Sequence, residues 1–154
     1  MAEIERKWSV PELPDDLPVG DEVRQGYIAL DGDVEVRVRD REGTYSLTVK
    51  GGGGLERAEV EMGIGRDDFD ELWSLARGRT IEKTRHVTPV GDAEAEVDVY
   101  RGELDGVRVA EVEFDSADEA NAFEPPDWFG DELTDDDRWS NRALAVDGRP
   151  PDDA

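Results

Sequence analysis

The sequence predicts a mainly β fold of the α+β class: a closed eight-stranded antiparallel barrel, or tunnel, with a charged lumen and a few flanking helices. Three observations predict it. Short valine-rich runs alternate strictly between charged and apolar residues, the pattern of a strand with two unlike faces. Turn-forming residues separate the runs, as in an antiparallel meander closing on itself. Like-charged residues recur two positions apart on run after run, which is unfavourable on a solvated face unless a ligand or ion neutralises them.

The first strand lies in MAEIERKW, where Glu3, Glu5 and Lys7 leave one face. VEVRVRD sets Glu35, Arg37 and Arg39 against Val34, Val36 and Val38. YSLTVK sets Ser46, Thr48 and Lys50 against Tyr45, Leu47 and Val49, and RAEVEM sets Arg57, Glu59 and Glu61 against Ala58, Val60 and Met62. TIEKTRH puts Ile81, Lys83 and Arg85 in phase, EAEVDVY does so for Glu94, Glu96, Asp98 and Tyr100, and VRVAEVEF for Val109, Glu111 and Glu113. DGD at 31–33, REG at 41–43, GGGG at 51–54 and LDG at 104–106 read as loops or hairpins. Helices are expected in RDDFDELWSLARG, stopped by Gly78, and in SADEANAFEPP, where Ser116 and Glu119 stand in capping-box register. A third is expected through DDDRWSNRALA, capped by Thr134 and docking Trp139 and Leu144. The 154 residues make a single domain over 1–146, with 147–154 (DGRPPDDA) a disordered tail.

Composition removes several classes of function. A formal net charge of −23 opposes binding to nucleic acid or anionic lipid through broad attraction. The absence of cysteine excludes disulfides, zinc–thiolate sites and thiol nucleophiles, and a lone His86, out of phase with Lys83 and Arg85, forms no multi-histidine site. No stretch approaches the ~20 apolar residues of a membrane span, and the acidic start is no signal peptide, so a cytoplasmic protein is expected. Only three lysines stand beside fifteen arginines, which marks Lys7, Lys50 and Lys83 as places where a compact ammonium is wanted.

If the charged faces share one lumen, Lys7, Arg37, Arg39, Lys50, Lys83 and Arg85 form a basic wall suited to a compact polyanion, and phosphate chains fit it best. Glu3, Glu5, Glu59, Glu61, Asp98, Glu111 and Glu113 would repel that anion unless one or two Mg2+ or Mn2+ ions stand between them. The ordinary alternative is that each polar face simply meets water. VKGGGG is no phosphate-binding loop of the Walker type, because Lys50 precedes the glycines.

At these residues the chain resembles the CYTH superfamily, the triphosphate tunnel metalloenzymes. The ExExK signature is met by Glu3-Ile4-Glu5-Arg6-Lys7, followed in order by Arg37-Val38-Arg39, Lys50, Glu59-Val60-Glu61, Glu82-Lys83-Thr84-Arg85, Asp98 and Glu111-Val112-Glu113. RQGYIAL, EKTR and PPDWFGDE are similar to the short bacterial members that hydrolyse inorganic tripolyphosphate. The resemblance implies substrate binding by Lys7, Arg37, Arg39, Lys50, Lys83 and Arg85. It implies metal binding by Glu3, Glu5, Asp98, Glu111 and Glu113, and a Lys7–Tyr27 pair assisting the attacking water. Arg57, Glu59, Glu61 and Arg142 are additional candidates; Trp139 and Arg142 stand where related sequences often carry Tyr and Lys. The expected function is metal-dependent cleavage of tripolyphosphate to pyrophosphate and phosphate. A class IV-type adenylate cyclase, a thiamine or nucleoside triphosphatase and a non-catalytic polyphosphate-binding module are the alternatives. A homodimer is compatible with the sequence.

Overall fold

A computed structural model describes residues 4–51 and 58–151. Eight strands form one sheet: β1 (Ile4–Ser9), β2 (Asp21–Asp31), β3 (Val34–Arg41), β4 (Thr44–Gly51), β5 (Ala58–Gly63), β6 (Thr80–Val90), β7 (Ala93–Tyr100) and β8 (Arg108–Phe114). They are ordered β1-β8-β7-β6-β2-β3-β4-β5, and every pairing is antiparallel. Tight turns join most neighbours, with glycines at positive φ (Gly32, Gly43, Gly91) where the chain reverses. The GGGG segment after Gly51 lies largely outside the described residues, as do Glu3 and Arg57.

Three helices flank the sheet. α1 (Arg66–Leu75) packs on β2 and β3 so closely that a Cβ on Gly26 would lie 2.8 Å from the Ala76 methyl carbon. α2 (Ala117–Ala122) begins as expected: the Ser116 hydroxyl accepts the Glu119 N–H, satisfying one of the free donors of the first turn. α3 (Asn141–Asp147) is shorter than expected and is capped by Ser140, not Thr134. Thr134 is engaged elsewhere, because its hydroxyl oxygen accepts the Lys7 backbone N–H. Residues 130–133 run along the outer edge of β1, with Ser9 N–H donating to Asp131 O, and Gly130 and Leu133 N–H donating to Ser9 O and Lys7 O. This strap occupies edge groups that would otherwise invite another strand. Of the expected tail, Asp147 ends α3, Gly148 caps it and Pro150 is buried; 152–154 lie outside the described residues.

Two apolar clusters hold the sheet. On the outer face, Trp8, Val97, Ala110 and Val112 pack with Phe129, with Phe123 and Phe114 against them. A second cluster lies on the inner face, at one end of the charged lumen. Tyr27, Ile81, Tyr100 and Val109 point inward at one end, where Leu144 and Ala145 of α3 plug the space between the strands. The lumen is therefore apolar at its floor and charged above it. Burying a side chain of this size contributes about 1.5–3 kcal/mol, so the plug binds α3 firmly to the sheet.

Candidate active site

Strand register brings the charged residues of separate runs onto one face. Lys7 faces Glu111, Glu111 faces Glu96, and Glu5 faces Glu113. Asp98 pairs with Arg85, Tyr100 with Lys83, and Val23 with Lys83 on the other side. Gln25 then faces Arg39, Tyr27 faces Arg37, Thr48 lies between Arg37 and Glu61, and Lys50 lies between Glu35 and Glu59. Because side chains directly opposite each other leave the same face, this chain of partners traces one continuous inner surface. His86 falls on the opposite face, in phase with Val97, and its Nδ1 lies 2.6 Å from the Pro18 carbonyl, a structural contact.

The middle of that surface is a buried ionic cluster. Lys83 is 0% exposed, and its ammonium donates to Asp98 Oδ2 at 2.8 Å and to Asn141 Oδ1 at 3.3 Å. Arg85 donates to both Asp98 oxygens, at 2.9 and 3.0 Å, and also pairs with Glu96 at 2.9 Å. Burial alone would raise the Asp98 carboxyl, but the charges and hydrogen bonds of Lys83 and Arg85 prevail and hold it at about 2. Burial lowers the Lys83 ammonium to about 8 against the pull of Asp98. Arg39 is likewise pushed below its usual value, by burial first and then by the like charges of Arg37 and Arg85. Arg37 pairs with Glu35 at 3.5 Å, yet its Nε is buried with no acceptor. Cations are thus crowded together at this wall, and one donor is left unsatisfied.

The carboxylates divide into two groups. Asp98, expected as a metal ligand, has both oxygens engaged by cations. Glu111, Glu5 and Glu113 stand on the neighbouring strands β8 and β1, with like charges opposed across the register at Glu5/Glu113 and Glu96/Glu111. Arg85 already neutralises Glu96, and the hard oxygens of Glu5, Glu111 and Glu113 suit Mg2+ or Mn2+. Among the described residues no group of three carboxylates forms a ready cage. The donor set therefore fits an ion that takes one or two carboxylates, keeps waters and shares substrate oxygens. Glu59 lies 3.9 Å from Lys50, and Glu61 acts on Arg39 through space, so both edge the basic wall. Arg142 donates to the Gly32 carbonyl at the β2–β3 turn, and Lys7 Nζ to the Trp139 carbonyl at 3.4 Å.

Comparison with known proteins identifies the family. A CYTH domain model matches residues 1–137. The chain belongs to the CYTH family. An inorganic triphosphatase of Nitrosomonas europaea is 43% identical over 148 residues, covering 95% of this chain and 98% of its own length. An inorganic triphosphatase of Acetivibrio thermocellus is 39% identical over 145 residues, covering 92% of each chain. The crystal structure of an inorganic triphosphatase superposes with a TM-score of 0.82 at 38% identity, over 97% of this chain and 98% of that one. The eight-stranded sheet is the CYTH tunnel fold.

Within this CYTH domain, three residues that support the inner surface fell outside the sequence-based set. Gln25, fully buried, accepts from Arg39 Nε at 2.8 Å and donates to the Tyr27 hydroxyl oxygen at 2.7 Å. Asn141 accepts from Lys83 and, at 2.6 Å, from the Tyr100 hydroxyl. Arg79 donates to the Tyr27 and Ile28 carbonyls, both at 2.9 Å, where the register shifts between Tyr27 and Ala29. That irregularity is where a β-bulge re-aims a side chain, and Arg79 holds it in place.

Proposed function

We propose that this CYTH protein is an inorganic triphosphatase, cleaving tripolyphosphate to pyrophosphate and phosphate with a divalent ion. The single observation that carries the reading is the crowding of Arg37, Arg39, Lys83 and Arg85 on one inner surface with a buried Arg37 Nε that has no acceptor. Such a wall is short of negative charge, and a chain of phosphates supplies it in the right shape. The near full-length similarity to two inorganic triphosphatases supports the same reading.

In the reaction, water attacks the terminal phosphorus, the P–O anhydride bond breaks with its electron pair leaving on the pyrophosphate oxygen, and the proton of the attacking water passes to a phosphate oxygen or to solvent. Positioning and charge neutralisation carry most of such a barrier. Asp98 holds Lys83 and Arg85 as a rigid positive platform, and Arg37, Arg39 and Lys50 extend it along β3 and β4 to grip the remaining oxygens. Lys7 and Tyr27, on either side of the lumen, orient the attacking water and the terminal phosphoryl group. A bound Mg2+ or Mn2+, held by one or two of the carboxylates of Glu5, Glu111 and Glu113, would supply charge neutralisation at the phosphoryl oxygens. The apolar floor built on α3 keeps bulk water from one end.

The test is phosphate release from tripolyphosphate, ATP, thiamine triphosphate and longer polyphosphates, each with Mg2+ and with Mn2+. Preferential turnover of tripolyphosphate, absent when the ion is chelated, is expected. Cyclic nucleotide from ATP, or tight binding of tripolyphosphate without turnover, would overturn the assignment.

A further inference from the structure

Tyr27 sits beside Arg37 in the register, and Arg37 Nε is buried with no acceptor among the described residues. The direction of the tyrosine's hydrogen follows from the order of its neighbours. A guanidinium can only donate, so Arg39 Nε at 2.8 Å fixes the Gln25 side-chain oxygen toward itself. The Gln25 amide nitrogen must then face the other way, and it lies 2.7 Å from the Tyr27 hydroxyl oxygen. An amide nitrogen has no lone pair to offer, so the phenol oxygen accepts this bond and its own hydrogen points elsewhere. Arg37, the other polar neighbour of the hydroxyl, also only donates, and the nearby carboxylate of Glu35 is paired with Arg37 at 3.5 Å. Gln25 is fully buried, and Arg79 pins the Tyr27 backbone at both N–H and C=O, so neither group can turn away.

From this one-way chain, Arg39 to Gln25 to Tyr27, we infer that Gln25 is a positioning residue that makes Tyr27 a hydrogen-bond donor to a phosphoryl oxygen of the substrate, not a base. The inference deepens the proposed triphosphatase activity and rests on it for the identity of the acceptor. Phosphate oxygens carry lone pairs and no hydrogens, so they suit adjacent donors from Tyr27 and Arg37. Burial, and then the negative charge of Glu35, keep the phenol protonated by raising it above its ordinary value. A fixed donor of this kind needs no reorganisation when the transition state forms, which is where its contribution is greatest.

Gln25→Glu tests the polarity with almost no change of shape. A carboxylate held ionised by Arg39 accepts from both neighbours, so the Tyr27 hydrogen turns inward and is consumed. Expected is a fall in kcat for tripolyphosphate of roughly 10²-fold, comparable with Tyr27→Phe. The double variant Gln25→Glu/Tyr27→Phe should be no slower than Tyr27→Phe alone. Gln25→Met, which removes the amide but leaves the phenol hydrogen free, should lose less kcat than Gln25→Glu. Multiplying effects in the double variant, or equal losses in the Glu and Met variants, would overturn the inference. A readout independent of turnover is a slowly exchanging hydroxyl proton in the NMR spectrum of Gln25→Glu, missing from the double variant; its absence overturns the proposed polarity. If Gln25→Glu does not fold, the Gln25 amide protons decide: Tyr27→Phe should shift one of them upfield, and an unchanged pair sinks the idea. A wild-type protein inactive on tripolyphosphate would remove the assigned activity while the NMR result still settled the direction of the chain.

Discussion

At the scale of residues, the inner face depends on charges that are satisfied by one another and by little else. Asp98 neutralises two buried cations, so Asp98→Asn leaves Lys83 and Arg85 without their shared counter-charge in the interior. Removing one member of a buried ionic group costs about 3–5 kcal/mol, and the urea midpoint at neutral pH should fall accordingly. The effect has a defined pH window. The folded carboxyl titrates at about 2, below its unfolded value of roughly 4. Its contribution is therefore complete above about pH 4 and is lost as pH falls through the folded value. The stability gap between wild type and Asp98→Asn should narrow across that window. An equal gap at pH 7 and at the acid end would show that Asp98 does not draw its low value from Lys83 and Arg85.

At the scale of elements, α1 lies tightly against the strand that carries Tyr27. A Cβ on Gly26 would meet the Ala76 methyl carbon at 2.8 Å and the Trp73 ring at 3.2 and 3.3 Å. Ala76 is wholly buried and Trp73 stacks on Phe69, so neither gives way freely. Gly26→Ala should cost about 1–3 kcal/mol in urea unfolding, the usual consequence of overpacking; an unchanged midpoint would mean that α1 can slide on the sheet. β2 also shows where the sequence stopped being legible. The charged runs announced their strands, because a row of like charges at period two survives in the sequence whatever the fold around it. On β2 the inward positions Val23, Gln25 and Tyr27 are uncharged, and a bulge at Tyr27/Ala29 breaks the period, so neither the strand nor Gln25 carried a signal. Asn141 was hidden for a different reason: it reaches Lys83 from a helix 58 positions away, a contact that tertiary packing alone creates. Thr134 looked like a helix cap by type and position, yet the edge of β1 offered its hydroxyl a backbone N–H first. The inward apolar residues Ile81 and Val109 shared the charged phase in the sequence, and only the docking of α3 explains why.

At the scale of the whole molecule, charge is sorted by location. The chain carries 41 acidic and 18 basic residues, a formal net charge of −23. Several of those cations are turned inward, including Lys83, Arg85, Arg37 and Arg39, so they do little to offset the negative charge outside. The outer carboxylates then repel one another across the surface, a self-repulsion that favours expansion. Monovalent salt screens that repulsion, because the Debye length falls from about 30 Å at 0.01 M to about 10 Å at 0.1 M. The buried Lys83–Asp98–Arg85 cluster lies out of water and is screened far less, so salt relieves the unfavourable charge interactions more than it weakens the favourable ones. The thermal midpoint should therefore rise as NaCl increases from about 0.01 to about 0.2 M, by about 2–4 °C for each kcal/mol of repulsion relieved. A midpoint that falls over the same range would mean that exposed ion pairs such as Arg6–Glu132 and Arg101–Glu22 outweigh the net charge, and that the sorting of charge between inside and outside does not govern stability.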